Sequence, residues 1–214
     1  MDTKEKILEV ALRQFNELGT DAVTVRSIAQ EVGISHGNLC YHFPNTDAII
    51  LELYRKTAAE MDSQAIQAIA ASTELEQMLR IGEVGFRILY RYKFLMLDLV
   101  RIMRRVPQIQ EEYGALVKLR RAQFVQIFQT MAAKGWLRAE PVPGYYEDMA
   151  TRLLILGDGW IPHAEFHFEG DDEQIIDYYF RVFVGEMLPL FTKKGQQLYN
   201  KSYLELLHKK QNDQ

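Results

Sequence analysis

Residues 24–43 carry two short helical patterns separated by one glycine, and no other stretch constrains the fold as strongly. The apolar residues of the first pattern recur at the spacing of one helical face: Val25, Ile28, Ala29 and Val32. Gly33 ends this helix, because glycine readily adopts the left-handed conformation of a helix C-terminus. Ser35 can cap a second helix whose inward residues are Leu39 and Phe43. The pattern indicates a helix-turn-helix, although a plain helical hairpin would share it.

The second helix of this motif turns four polar side chains outward: His36, Asn38, Tyr41 and His42. Asparagine can bond a base edge at two points, while tyrosine and histidine can reach phosphates or bases. Thr24 is placed to cap the first helix, and its hydroxyl could also meet a phosphate at that helix N-terminus. Arg26 is an unusual charge for the positive end of a helix, which suits either a DNA-facing role or a plain surface position.

Residues 1–56 resemble the DNA-binding domain of TetR-family transcriptional regulators. The positions that match the family pattern are Phe15, Gly19, Thr24, Val25, Ile28, Ala29, Val32, Gly33, Ile34, Ser35, Gly37, Leu39, His42, Phe43, Asn45, Asp47 and Ile49. Two positions depart from it, because Cys40 replaces the usual tyrosine and Thr46 replaces the usual lysine. Both family residues normally touch phosphates. The resemblance therefore implies a weaker grip on the DNA backbone unless Tyr41, Arg26 or Thr46 itself compensates.

The resemblance implies an all-α fold with two domains. Residues 1–45 would form a three-helix DNA-binding domain with the helix-turn-helix, and residues 46–214 a larger helical domain for effector binding and dimerisation. The protein would bind a palindromic double-stranded DNA operator as a homodimer, most often as a repressor, and respond to a small-molecule effector of unknown identity. The residues expected to contact DNA are Thr24, Arg26, Ser35, His36, Gly37, Asn38, Tyr41, His42 and Thr46.

The charge distribution does not favour DNA binding by a single subunit. The chain carries a net charge of −4, and residues 1–56 hold six basic against eight acidic side chains. A basic surface is the usual electrostatic signature of DNA binding. We therefore expect modest affinity per subunit and dependence on a dimer, whose reading helices would lie roughly 34–36 Å apart. Residues 87–121 hold nine basic against three acidic side chains, which suits a solvated helix face or an anionic effector.

Length and composition are those of an ordinary globular protein. The 214 residues are enough for one small and one larger helical domain, and 48% of them are hydrophobic. We expect neither a secretory nor a membrane segment, because charged residues follow Met1 at once and the apolar runs are short. The single cysteine, Cys40, excludes an internal disulfide and is compatible with a cytoplasmic location, which we expect. No cofactor is expected.

Periodicity and helix-breaking residues predict helices throughout, with no alternating strand pattern. A first helix runs from Asp2 or Thr3 to Gly19, and a long fourth helix, capped by Asn45, runs to about Ala71. Later helices are predicted near residues 74–92, 94–105, 108–133, 145–160, 172–191 and 196–209. Residues 161–170 are predicted as a break. Capping-box spacing occurs twice, at Asp2 with Glu5 and at Thr73 with Glu76.

Aromatic and methionine side chains are frequent in the C-terminal part of the chain. They can line an adaptable pocket for a hydrophobic ligand, although they more often form an ordinary core. Asp98 and Arg87 interrupt apolar runs, so each should face solvent, be paired or meet a ligand. The residues expected to line an effector pocket are Phe86, Tyr90, Phe94, Asp98, Met103, Phe124, Phe128 and Trp160.

The segments 145–160 and 172–191 are the candidate dimer interface, by resemblance to the four-helix interface of the family. Both segments carry more apolar surface than one small domain needs, which agrees with this interpretation. The residues expected to pair are Leu153, Leu154, Leu156 and Gly157 on the first segment, and Ile176, Tyr179, Phe180, Phe183, Val184 and Met187 on the second.

Two other functions remain open. A protein-interaction module that has lost specific DNA binding would also explain Cys40, Thr46 and the acidic N-terminal region. A helical enzyme would have to use His163, His167 and Glu165, but no constellation of nucleophile, base and orienting group is visible. The two histidines are four residues apart, a spacing that can place both on one metal ion. We expect no metal, because no third ligand is evident and a break is predicted there.

Overall fold

The chain folds into an all-α structure, as the sequence predicts. A computed structural model describes residues 2–70 and 75–212, which hold eleven α-helices and no β-strand beyond one antiparallel bridge between Leu137 and Phe191. The helices are α1 (Thr3–Leu18), α2 (Val25–Val32), α3 (His36–His42), α4 (Thr46–Ala70), α5 (Leu75–Arg91), α6 (Lys93–Leu97), α7 (Leu99–Arg105), α8 (Pro107–Ala133), α9 (Tyr145–His167), α10 (Asp172–Gly185) and α11 (Lys193–Asn212). None of these described helices is long and apolar enough to cross a membrane.

The helices form two compact units. Unit 1 comprises Met1–Glu60 and Leu89–Gly114, and unit 2 comprises Met61–Ile88 and Ala115–Gln214. Three helices, α4, α5 and α8, contribute residues to both units. Unit 1 extends beyond residue 45 because α6, α7 and the start of α8 pack with the N-terminal helices. The functional division at residue 45 stays a prediction, since compactness alone does not locate a DNA-binding domain.

One apolar core holds together the head, which we define as helices α1 to α3. Its buried side chains include Ile7 and Phe15 from α1, Ile28 from α2 and Leu39 from α3, none more than 1% exposed. Burial of one such side chain contributes about 1.5–3 kcal/mol. Phe15 also packs against Phe94 of α6, with ring centroids 5.1 Å apart. Core packing therefore joins the head to α6 within unit 1.

Local capping fixes the helix-turn-helix, as the sequence predicts. Thr24 Oγ1 accepts a hydrogen bond from Ser27 N at 3.1 Å, and Ser27 Oγ accepts one from Thr24 N at 3.1 Å, so a capping box starts α2. Gly33 ends α2 with φ 77° and ψ 32°, a left-handed conformation that a side chain would resist. Ser35 Oγ accepts a hydrogen bond from Asn38 N at 3.1 Å and caps α3.

The predicted cap of α4 is confirmed, whereas the predicted cap of α1 is wrong. Asn45 caps α4 as predicted, because its Oδ1 accepts a hydrogen bond from the backbone N–H three residues later at 2.9 Å. Asp2 precedes α1 but its side chain makes no capping hydrogen bond, so the predicted capping box with Glu5 is wrong. Glu5 instead lies 3.8 Å from the Lys56 ammonium. Thr73, the other predicted cap, lies outside the described residues.

The single helix predicted over residues 94–105 is wrong, because the chain forms α6 and α7 with a break at Asp98. Asp98 has φ −111° and ψ 16°, outside the helical range. Its carboxylate accepts hydrogen bonds from the hydroxyl and backbone N–H of Thr20. A long-range contact thus decides this local structure.

The break predicted over residues 161–170 is confirmed only at residues 168–170, because α9 continues through Pro162 to His167. Proline removes one helical hydrogen bond, while Trp160, Ile161 and Ala164 on either side of it are buried and hold the helix in place. α10 is shorter than predicted and ends at Gly185, before a 3₁₀ turn at Leu188–Leu190.

Candidate nucleic-acid interface

The outer face of α3 presents polar side chains, as the sequence predicts. The exposed residues at its cap and along this face are Ser35, His36, Gly37, Asn38 and Tyr41. Tyr41 leaves 87% of its surface uncovered, and the half-buried His42 meets it edge to face with ring centroids 5.4 Å apart. Leu39 and Phe43 are buried on the opposite side, so core packing fixes which face of α3 points outward.

Gly37 leaves free space at the start of α3. A Cβ at this position would meet nothing closer than Ser35 Oγ, at 4.0 Å. The fold itself therefore does not require glycine here, whereas a backbone approaching from outside would benefit from the missing side chain.

The N-terminus of α2 adds two further candidates. Thr24 and Arg26 are both exposed, and the Thr24 side chain already caps the helix. Within the described parts of the chain, Arg26 has neither an ion pair nor a hydrogen bond. Its guanidinium is therefore available to a phosphate or a base edge.

Ion pairs neutralise several carboxylates of unit 1. They are Lys4–Glu52 at 2.5 Å, Arg13–Glu31, Arg101–Asp21 and Arg105–Asp47. The last two arginines lie on α7 and belong to the basic segment 87–121. Unit 1 as a whole holds eleven basic and twelve acidic residues. The acidic excess is therefore two over the first 56 residues and one over the whole unit.

A polar clamp connects α7 to the head and to α4. It consists of Asp98, Arg101 and Arg105 on one side and Thr20, Asp21, Thr46 and Asp47 on the other. Asp98 Oδ2 accepts hydrogen bonds from Thr20 Oγ1 at 2.6 Å and from Thr20 N at 3.2 Å. Arg105 Nη2 donates to Thr46 Oγ1 at 2.6 Å, and its Nε pairs with Asp47. Thr46, which replaces the family lysine, is thus held by a cation from α7.

The end of α5 makes a second polar connection to α1. Asn16 Nδ2 donates to the carbonyl oxygen of Arg91 at 2.9 Å, and its Oδ1 accepts from Phe94 N at 3.1 Å. Burial, together with a hydrogen bond to Glu60, raises the pKa of Tyr92 to about 12. The Tyr92 hydroxyl therefore stays protonated and donates to Glu60 at neutral pH. No sequence pattern indicates Asn16, because its partners are 75 or more residues away.

Cys40, the only cysteine of the chain, lies on α3 and is partly exposed. Its Sγ is 3.5 Å from Nε2 of His36, one helical turn earlier. The thiol is therefore a group that can be labelled chemically, on the helix that the sequence predicts to read DNA.

The predicted effector-pocket residues are divided between the two units. Tyr90, Phe94, Asp98 and Met103 belong to unit 1, and Phe86, Phe124, Phe128 and Trp160 belong to unit 2. In unit 1, Phe94 packs on Phe15 and Asp98 belongs to the clamp. The eight residues therefore do not share one compact unit.

The four unit 2 residues belong to one aromatic cluster. Phe86 stacks on Trp160 with centroids 5.0 Å apart, and Phe124 stacks on Phe128 at 6.1 Å. Phe183 of α10 joins these pairs, at 5.1 Å from Phe86 and 6.1 Å from Phe124. The sequence predicts Phe183 as a dimer-interface residue, because spacing alone does not show which side of α10 faces its own unit.

The outer face of α9 and α10 differs from the predicted dimer surface. Most of the predicted residues are buried within the chain: Leu153, Ile176, Tyr179, Phe180, Val184 and Met187. The exposed apolar residues of these helices are Ile155 (67%), Phe166 (81%), Tyr178 (40%) and Val182 (36%). We call these four residues the apolar face. The prediction is wrong for these six residues, because they pack into the core of their own unit. Leu154, Leu156 and Gly157 are partly exposed and stay predicted interface residues.

A groove of about 460 Å³ lies between α8 and α9 in unit 2, and Lys118, Arg121, Glu147 and Asp158 contribute its charged lining. None of the predicted effector residues lines it. Other basic residues of segment 87–121 are ion-paired instead: Arg87 with Glu83 and Glu173, Arg91 with Glu60, and Arg120 with Asp62. Arg87 and Asp98, which interrupt apolar runs, are thus both paired.

Comparison with known sequences covers nearly the whole chain. A family model described as "Bacterial regulatory proteins, tetR family" matches residues 7–53, and one described as "Bacterial transcriptional repressor" matches residues 53–199. The chain belongs to the TetR family. Members of this family are transcriptional regulators and not enzymes, which excludes the helical-enzyme hypothesis. The helix-turn-helix described above is the DNA-binding element of a TetR-family regulator.

Individual TetR-family relatives agree with this assignment. The chain is 40% identical over 175 residues to the HTH-type transcriptional repressor AcnR of Corynebacterium diphtheriae, covering 81% of this chain and 87% of that protein. It is 31% identical over 91 residues to the class D tetracycline repressor of Escherichia coli, covering 42% and 41% of the two chains. The chain thus matches only about two fifths of the tetracycline repressor's length.

Solved structures confirm the TetR fold. A TetR-family transcriptional regulator from Marinobacter aquaeolei superposes with a TM-score of 0.85 over 95% of this chain and 98% of that one. The two sequences are 23% identical, so this likeness concerns the fold alone.

Proposed function

We propose that this TetR-family regulator is a ligand-responsive repressor that binds a palindromic operator as a homodimer. The exposed polar face of α3 carries the proposal, because the caps at Thr24 and Ser35 and the buried Leu39 fix its outward orientation. Residues 1–45 would be the DNA-binding domain. Regulators of this family bind DNA operators and small molecules and act as dimers, which supports each part of the proposal.

Within the head, the proposed contacts divide by chemistry. Asn38 would read a base edge, because its amide both donates and accepts. Thr24, Ser35 and the α2 N-terminus would position the head on phosphates, together with Arg26. Gly37 would allow a DNA strand to approach α3 closely. The remaining contacts are proposed for His36, Tyr41, His42 and Thr46.

The apolar face of α9 and α10 supports the homodimer. Side chains as exposed as Ile155 and Phe166 gain roughly 25 cal/mol for each Å² of apolar surface that a partner removes from water. A twofold axis would place the same face of a second copy against this one. Two heads on one palindrome would then add their phosphate contacts, which matters because unit 1 has no basic excess.

The ligand response is proposed to start in unit 2, where aromatic side chains suit an apolar small molecule. Helices α4, α5 and α8 belong to both units, so a ligand that prefers one arrangement of these helices also biases unit 1. Operator affinity would change by the ligand's differential affinity for the two arrangements. The clamp at Arg105 is the proposed contact through which α7 sets the position of the α4 N-terminus.

Iterative selection of random DNA duplexes at about 0.1 M salt tests this proposal. We expect enrichment of one palindrome, bound by two chains per duplex, with affinity falling steeply as salt rises. If the folded, dimeric protein enriches no sequence, the proposal fails. A shallow salt dependence of duplex binding would then favour the protein-interaction module.

A further inference from the structure

The continuation of α9 past Pro162 places two histidines together on one helix. His163 and His167 lie one turn apart, both exposed, with ring centroids 4.7 Å apart and an interplanar angle of 40°. Two histidines four residues apart on one helix can bind the same zinc ion, for which the usual zinc–nitrogen distance is about 2.0–2.1 Å. The break that the sequence predicts in this segment does not separate the two rings, because α9 continues to His167.

Tyr179 of α10 orients the first of these rings. Its hydroxyl oxygen lies 2.6 Å from Nδ1 of His163, and the tyrosine is 4% exposed, packed against Trp160 and Phe168. The hydroxyl oxygen can accept a hydrogen bond from Nδ1–H of His163. In that tautomer the Nε2 lone pair of His163 is left for a metal. Ligating histidines commonly have their other ring nitrogen fixed in this way.

The position along the helix favours a cation as well. His163 and His167 occupy the last turns of α9, a helix of 23 residues that ends at His167. The unsatisfied carbonyl groups of a helix C-terminus give it a partial negative charge, which stabilises a nearby positive ion.

We propose that His163 and His167 form a binding site for one divalent transition-metal ion of the class that imidazole prefers, such as Zn²⁺ or Cu²⁺. Nε2 of His163 and one ring nitrogen of His167 are the protein ligands, and water fills the remaining positions, since both rings are exposed. The described residues contain no group of three metal-ligating side chains, so the site has two protein ligands. The proposal does not depend on DNA binding.

Calorimetric titration of the full chain with ZnCl₂ tests the site. The titration is made in a Cys40→Ser background, because Cys40 and His36 form another pair of potential ligands on α3. We expect one Zn²⁺ per chain, and at least tenfold weaker binding in His163→Ala and in His167→Ala. Tyr179→Phe keeps the aromatic packing but loses the hydrogen bond, and should weaken binding about tenfold.

Glu165→Gln is the matched control, because it removes the carboxylate that lies between the two histidines in the sequence and leaves both histidines unchanged. It should bind Zn²⁺ with the same affinity as the Cys40→Ser protein, which is the parent in this titration. Zinc should also raise the melting temperature of the parent but not that of the double histidine variant, whose folding is checked by circular dichroism. Absence of binding in the parent, or equal binding in the single histidine variants, would overturn the proposal.

Discussion

Two exposed surfaces of the chain differ sharply in chemistry. The outer face of α3 presents Asn38, Tyr41 and a glycine, and the apolar face of α9 and α10 presents side chains such as Ile155 and Phe166. A polar surface with hydrogen-bonding groups suits a base edge, whereas an uncovered apolar surface suits another protein surface. The contrast supports the proposal that one chain carries separate surfaces for DNA and for a second copy.

The interactions that orient the two surfaces also differ. In α3 a local cap, in which Ser35 Oγ accepts a hydrogen bond from Asn38 N, adds to the core packing of Leu39 and Phe43. In α9 and α10 core packing alone fixes which sides stay exposed. Changes at the two surfaces should therefore have separable effects. On the proposed function, changes in the outer face of α3, here called the DNA-reading surface, should alter sequence preference. Changes in the apolar face should alter assembly first and DNA binding only through assembly.

The largest effect is expected from Ile155→Arg on the apolar face. A charge in an apolar interface loses its hydration without a partner, so the dimer should dissociate. Affinity for the selected palindrome should fall by about a hundredfold or more, because a single head makes half of the contacts. Sedimentation velocity gives the assembly state and fluorescence anisotropy gives the affinity.

Val100→Arg is the matched control, because Val100 is 62% exposed but lies on α7, outside the apolar face. It should remain dimeric. A dimeric Ile155→Arg variant would show that α9 does not contribute to assembly.

The next effect is expected from Asn38→Ala on the DNA-reading surface. Loss of one base contact per subunit costs about 1–3 kcal/mol of discrimination, which is roughly tenfold or more between palindrome and random duplex. The dimer should stay intact. Asn200→Ala, on an exposed position of α11, serves as the control in the same anisotropy titration. An unchanged preference in Asn38→Ala would remove Asn38 from the reading residues.

A smaller effect is expected from Arg105→Ala in the clamp. The variant loses the contacts to Thr46 and Asp47, and exposed ion pairs of this kind contribute up to about 1 kcal/mol. Operator affinity should fall by at most about fivefold. The neighbouring Arg104→Ala is the control, since Arg104 is exposed and has no ion pair within the described chain. Equal affinities for the two variants would exclude the clamp from positioning α4.

The smallest effect is expected from Gly33→Ala at the turn. A Cβ there meets no atom, but the left-handed backbone costs about 1 kcal/mol. The melting temperature should drop by about 2–4 °C, measured by circular dichroism, with operator binding intact at 20 °C. Gly114→Ala, in a helix with no positive φ, should not destabilise the protein. Equal melting temperatures for the two variants would contradict the assigned turn conformation.

The sequence predicts the head well because its determinants are local. Thr24, Ser35 and Asn45 each cap a helix through a partner three residues away, and such spacing is visible in the sequence. The break at Asp98 is not visible, because its partner Thr20 lies 78 residues away. Likewise, spacing shows that α10 has an apolar side, but only packing shows that Phe183 and Val184 face the unit itself.

Alkylation of Cys40 tests most directly whether α3 contacts DNA. The parent protein is treated with iodoacetamide, alone and with saturating amounts of the selected palindrome, and labelling of this single thiol is followed by mass spectrometry. If α3 lies against the DNA, bound palindrome should slow the labelling at least tenfold, and ligand-induced release should restore it. Equal labelling rates in free and DNA-bound protein would contradict the central claim, because the DNA would then be held elsewhere.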